Sequence, residues 1–183
     1  MYDYYEQCGS CVYYEFNGEG YKGYCSYYKS YFYPGDSCRY YSDGNNGCYI
    51  TTIVCDLLGF DDNCPVLETL RKFRKDVLQT NPKYKDILYE YDIVGPQIAK
   101  NLMKDYAFDE DKEIPKALYD FYILPTVSLI NEGRNTEAIK RYTQLTEGLI
   151  DTYGIERVKE IPNDYDYTKG GHGVKKLGTY RGE

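Results

Sequence analysis

The chain has 183 residues, with 29 acidic and 22 basic side chains, a net charge of −7, and an isoelectric point near 4.9. Its length allows one ordinary domain, or a small stapled module followed by a helical one. The acidic balance argues against a reader of nucleic-acid phosphates or of anionic membrane surfaces, and no apolar run approaches the roughly 18 to 20 residues that span a bilayer.

The opening residues MYDYYEQCGSC carry neither a basic start nor an apolar stretch, so a soluble cytoplasmic protein is expected. In that compartment clustered cysteines bind metal or do redox chemistry more often than they form a disulfide framework. Four stand in the first 38 residues: Cys8, Cys11, Cys25 and Cys38, spaced C-x2-C-x13-C-x12-C. Four thiolates suit zinc or an iron–sulfur cluster, and one CxxC pair instead of two is unlike the usual zinc ribbon.

Residues 1–47 form the expected metal-binding module. The first 50 residues hold 14 of the 25 tyrosines, and Val12 and Ile50 are their only β-branched or leucine aliphatics. Such a segment has no aliphatic core and needs a metal or disulfides to fold. Its tyrosines would wall the module, each hydroxyl turned to water or to a backbone partner. Doublets such as Tyr13-Tyr14 suit short strands or a short hairpin, and Tyr33-Pro34-Gly35-Asp36 marks a turn.

A helical domain is expected over 48–161, with five or six helices. Ile50, Ile53, Val54, Leu57 and Leu58 recur at helical spacing and stop at Gly59. Asp61, Asp62 and Asn63 offer caps before Pro65, and a second helix carries Leu67, Leu70, Phe73 and Val77. On this helix Arg71, Lys72, Arg74 and Lys75 read as the wet face, open to an acidic partner. After Asn81-Pro82 a short helix is expected around Ile87, Leu88 and Tyr91, and a separate one after Gly95-Pro96. The run Asp109-Glu110-Asp111 is expected to cap a helix over 116–131 that bends at Pro125. The last helix runs from Thr136 to Tyr153 and ends at Gly154. Residues 162–183 read as a flexible polar tail.

The segment from Cys8 to Tyr41 resembles high-potential iron–sulfur proteins and the small cluster-bearing subunits related to them. The match rests on the Cys8–Cys11 pair followed by Tyr13 and Tyr14, on Tyr21-Lys22-Gly23 leading to Cys25, and on Gly35-Asp36-Ser37 before Cys38. That resemblance implies a [4Fe-4S] cluster on Cys8, Cys11, Cys25 and Cys38, shielded by aromatic side chains. Residues from about 48 to 104 resemble the bacterial segment called the CFI box. Its opening is matched by Cys48-Tyr49-Ile50, and its L-x-x-L-R-x-F-R helix by Leu67, Leu70, Arg71, Phe73 and Arg74. This second resemblance implies a helical unit and no particular chemistry.

Cys48 and Cys55 lie seven apart and share a helix face, and Cys64 approaches across the intervening turn. These three are a possible second thiol or metal group, or small buried hydrophobes. A thiol-dependent enzyme would need a base beside one of them, and the only histidine, His172, lies in the Gly-rich tail. The leading expectation is a metal-binding, iron–sulfur accessory or redox-sensing protein whose helices dock a protein partner. A structural zinc-binding interaction module is the alternative.

Overall fold

The computed structural model describes residues 11, 14–15, 22–25, 29–36, 47–107 and 109–168. The described chain is mostly helical, with a small antiparallel sheet at its N-terminal end. Strands β1 (Tyr14–Glu15), β2 (Gly23–Cys25) and β3 (Ser30–Phe32) follow one another as a meander. Tyr14 faces Cys25, and Gly23 faces Phe32. Side chains alternate across the sheet as its pleat requires, so Gly23 and Cys25 are buried while Tyr24 packs edge-on against exposed Tyr31.

Helix α1 (Tyr49–Leu57) is almost wholly buried. Leu58 and Gly59 end it, the glycine in the left-handed region at φ 81°. Helix α2 (Pro65–Phe73) begins with its proline in the first turn and continues as a π-helical segment, Arg74–Leu78. The expected acidic caps do not form. Cys64 is the N-cap without a side-chain bond, and Asp62 instead holds Arg71 at 2.6 Å.

The two helices expected on either side of Gly95-Pro96 are one. Helix α3 (Lys85–Tyr106) runs through Pro96, after a 3-10 turn at Pro82–Tyr84 capped by the Asn81 side chain. Its apolar face, with Leu88, Val94, Ile98, Leu102 and Met103 all buried, is continuous across the proline. Each such side chain contributes about 1.5–3 kcal/mol, enough together to outweigh the proline's cost of about 3 kcal/mol.

The next unit runs α4 (Glu113–Leu118), a π-helical segment (Tyr119–Ile123) and α5 (Leu124–Asn131) without a break. Where a bend at Pro125 was expected, the helix passes through that π segment just before the proline. Pro125 has no amide proton for the carbonyl of Phe121 four residues back, and the Arg141 guanidinium donates to that oxygen at 2.5 Å. The acidic run before α4 does not cap it. The Asp109 carboxylate accepts from the Asp111 amide, and Lys112 precedes the helix with no capping bond. Helix α6 (Asn135–Tyr153) ends at Gly154 in the left-handed region.

The sheet and helices share one apolar cluster, which includes Cys11, Cys25, the buried face of α1 and the inner faces of α3 and α6. Glu15 pairs with Lys100, and Lys29 Nζ donates to the Lys104 carbonyl at 3.4 Å, joining the sheet to α3. Among the described residues no helix is long and apolar enough to cross a membrane.

Gly95 sets how closely α1 approaches α3. A Cβ there would lie 2.6 Å from Cδ2 of the buried Tyr49 ring. Alanine gains about 1 kcal/mol over glycine in a helix, but overpacking costs about 1–3 kcal/mol. Gly95→Ala is therefore expected to lower the melting temperature, against its helix propensity. A rise would show that Tyr49 moves aside freely.

Candidate functional site

The sheet places two of the four N-terminal cysteines at one of its ends. The Tyr14 amide donates to the Cys11 carbonyl at 3.1 Å, which turns the chain just before β1, and Tyr14 itself lies opposite Cys25. Cys11 and Cys25 thus sit at the same end of the β1–β2 ladder, both buried. The Tyr14 ring crosses the sheet: its hydroxyl accepts from the Gly23 amide at 2.7 Å and donates to the Phe32 carbonyl at 3.3 Å. This tyrosine is half-buried, packs against the apolar cluster and has its hydroxyl satisfied by backbone. Cys8 and Cys38 lie outside the described residues, as does His172. Among the described residues no three His, Cys, Asp or Glu side chains are grouped to hold a metal ion.

Of the later cysteines, two meet and one stands apart. Cys55, near the end of α1, lies with its sulfur 4.0 Å from that of Cys64, the N-cap of α2. Burial pushes the Cys55 thiol up first, and the neighbouring Cys64 adds to the shift. Cys48 shares the buried face of α1 but precedes Cys55 by two turns, about 10 Å of helix rise. Its surroundings are different ones, dominated by Arg74.

Those surroundings were only partly visible in the sequence. Arg74, expected on the wet face of its helix, is 7% exposed. It lies seven residues after Leu67 and four after Leu70, so helical spacing itself puts it on the buried face. Its guanidinium donates to Asp92 at 2.6 Å and to the Gly47 carbonyl at 3.2 Å. Gly47, at φ 59°, is required for this arrangement, because a Cβ would sit 2.3 Å from Arg74 Nε. The Tyr165 hydroxyl donates to the other Asp92 oxygen at 2.9 Å. Tyr165 falls in the segment expected as a polar tail, yet it is buried and packs edge-on against Tyr89.

The signal for Asp92 was its spacing. It lies four residues after Leu88, on the apolar face of α3, where a carboxylate demands a partner. Burial raises its pKa, and Arg74 and Tyr165 offset part of that rise.

A second polar chain runs beside the first. The Ile50 amide donates to the Tyr91 hydroxyl at 3.2 Å, Tyr91 and Tyr142 share a hydrogen bond of 3.0 Å, and Tyr142 and Thr51 share one of 2.8 Å. Burial holds both tyrosines well above the ordinary phenol range, and it pushes the Cys48 thiol up to about 11 against the pull of Arg74 and Arg71.

Cys48, Arg74, Tyr91 and Tyr142 border a cavity of about 90 Å³ whose walls include Leu70, Phe73, Leu78, Leu88 and Ile139. Arg157, half exposed, bridges Glu90 of α3 and Glu147 of α6 beside it. The hydroxyls are satisfied by one another and the thiol is protonated at neutral pH. The lining is thus apolar on the inside, with the Glu90, Glu147 and Arg157 charges also part of it.

No protein-family model, curated protein or solved structure matches the chain.

Proposed function

We propose that this chain is a metal-binding accessory protein in which Cys8, Cys11, Cys25 and Cys38 ligate one centre, an iron–sulfur cluster before zinc. The observation that carries the reading is the placement of Cys11 and Cys25. These two cysteines, far apart in the chain, are buried at one end of a sheet whose own segment holds Val12 as its one Val, Ile or Leu. Cys8 is three residues from Cys11, within about 10 Å at full extension. Cys38 follows Phe32 of β3 by six residues, a reach of about 20 Å. Both can therefore complete the set, and four thiolates suit either metal.

The resemblance of residues 8–41 to high-potential iron–sulfur proteins favours the cluster. The aromatic residues around the site would exclude water from it and so tune its potential. A protein partner is part of the reading. Ile114, Phe121 and Leu124, all exposed along the α4–α5 unit, are apolar surface such a partner would cover.

Metal analysis of anaerobically prepared protein tests the proposal. The expected result is brown protein with iron and acid-labile sulfide in equal amounts, lost in Cys11→Ser and Cys25→Ser and retained in Cys55→Ser. Colourless protein with one zinc per chain would select the structural zinc reading. Protein that binds neither metal, while folding normally, would sink both.

A further inference from the structure

Cys55 and Cys64 combine three properties that neither has alone. Their sulfurs are 4.0 Å apart, about 2 Å beyond disulfide bonding distance. Their backbones are held: the Phe60 amide donates to the Cys55 carbonyl, the Cys64 amide to the Asp61 carbonyl, and the Glu68 amide to the Cys64 carbonyl, at 2.9, 3.0 and 3.1 Å. Their exposures differ, with Cys55 1% exposed and Cys64 half-buried at the surface end of the turn. A pair serving only as small hydrophobes has no use for a half-buried residue whose sulfur neighbours that of a fully buried one.

We propose that Cys55 and Cys64 form a dithiol site that exchanges with small-molecule disulfides and closes a disulfide between the end of α1 and the start of α2. Cys64, as the accessible sulfur, loses its proton to solvent and attacks one sulfur of the small disulfide. A bond forms between Cys64 and that sulfur, and the other half leaves as a thiolate that takes up a proton. Cys55 then gives up its proton and attacks the Cys64 sulfur, expelling the second half. Two protein thiols are oxidised to one disulfide, and one small disulfide is reduced to two thiols. Burial holds Cys55 as the thiol, which keeps it from reacting first and assigns it the resolving step.

The site is independent of the N-terminal cysteines, so its failure and the failure of the metal reading are separate results. Cys48 serves as an internal control, since it is buried elsewhere.

The test uses the full chain as purified, incubated with hydroxyethyl disulfide, a neutral probe that the nearby Asp61 and Asp62 do not repel. Free thiols are then alkylated and each cysteine is mapped by mass spectrometry. The expected product is a Cys55–Cys64 cross-link with Cys48 still alkylatable after denaturation. In Cys55→Ser, Cys64 should accumulate the mixed disulfide; in Cys64→Ser, Cys55 should stay unmodified. Mapping of the unmutated chain decides the matter even if a variant misfolds. Recovery of both cysteines as thiols under conditions that oxidise a control dithiol would overturn the proposal. So would modification of Cys55 in the folded Cys64→Ser chain, or a cross-link of Cys64 to a different cysteine.

Discussion

Replacing Arg74 by methionine is expected to lower the unfolding free energy by about 3–5 kcal/mol, among the largest losses available to a single substitution in this chain. The Asp92 side chain is fully buried, and Arg74 is its charged partner at 2.6 Å. Without the guanidinium, Asp92 keeps one donor, the Tyr165 hydroxyl, and must either stay charged in an apolar setting or take up a proton. The deficit should therefore depend on pH in a definite direction. Burial already places the folded-state pKa of Asp92 above its unfolded value, and removing Arg74 raises it further. A group with a raised folded pKa favours the folded state when protonated, so the variant's deficit should shrink as pH falls toward about 4 and grow above it.

The double variant Arg74→Met/Asp92→Leu separates a lost pair from lost packing. Apolar replacement of a whole buried pair is often neutral or stabilising, so most of the stability should return. The remainder reflects the Tyr165 hydroxyl, about 1–3 kcal/mol for a buried group left without its acceptor. Urea unfolding at two pH values measures all of this. A single-variant loss below about 1 kcal/mol, with no pH dependence, would mean that water reaches Asp92 and that the pair is a surface one in practice.

The same residues show what the sequence made legible. Helices α1, α2 and α6 follow from apolar spacing and from the stops at Gly59, Asn81 and Gly154, because those signals act within a few residues of chain. The junction at Pro96 was misread for a related reason. Proline is a local signal against a helix, and it is overruled by burial of a long continuous face against α1 and α6, which no local window contains. Arg74 was misplaced because its charge outweighed its spacing: four residues after Leu70 it falls on the buried face, and its partner Asp92 comes from another helix. Tyr165 was hidden because a polar segment can still dock through one aromatic residue whose hydroxyl meets a buried carboxylate.

The candidate site was legible to a different degree. Cysteine spacing alone grouped Cys55 with Cys64, and the turn between α1 and α2 brings their sulfurs together. It also grouped Cys48 with them, since a spacing of seven puts two residues on one face. Spacing along a face is not proximity. Two turns of helix separate Cys48 from Cys55, and Cys48 belongs to the Arg74 and Tyr91 surroundings instead.

That placement gives the second large effect: stability should fall steeply on the alkaline side. The Cys48 thiol is raised from 9.0 to about 11, chiefly by burial. Between those values the unfolded chain has released the thiol proton while the folded chain keeps it. Stability must then decrease with rising pH, by up to about 2.7 kcal/mol over the two-unit window at 1.36 kcal/mol per unit. Tyr91, Tyr142 and Tyr165, all pushed up by burial, add to the loss once pH passes the ordinary phenol value of about 10. Cys55 adds to it as well.

The Cys48→Ala variant isolates one contribution from the rest. It should be less stable than the parent at neutral pH, because a buried side chain is truncated. It should lose less between about pH 9 and 10, so the two stability curves converge on the alkaline side. Urea midpoints at about pH 8, 9 and 10 measure the convergence, and the thiols shared by both proteins cancel in the comparison. Parallel curves would show that Cys48 titrates normally in the folded chain. That outcome would remove the thiol from the buried polar cluster and leave the cavity beside Arg74 open to water.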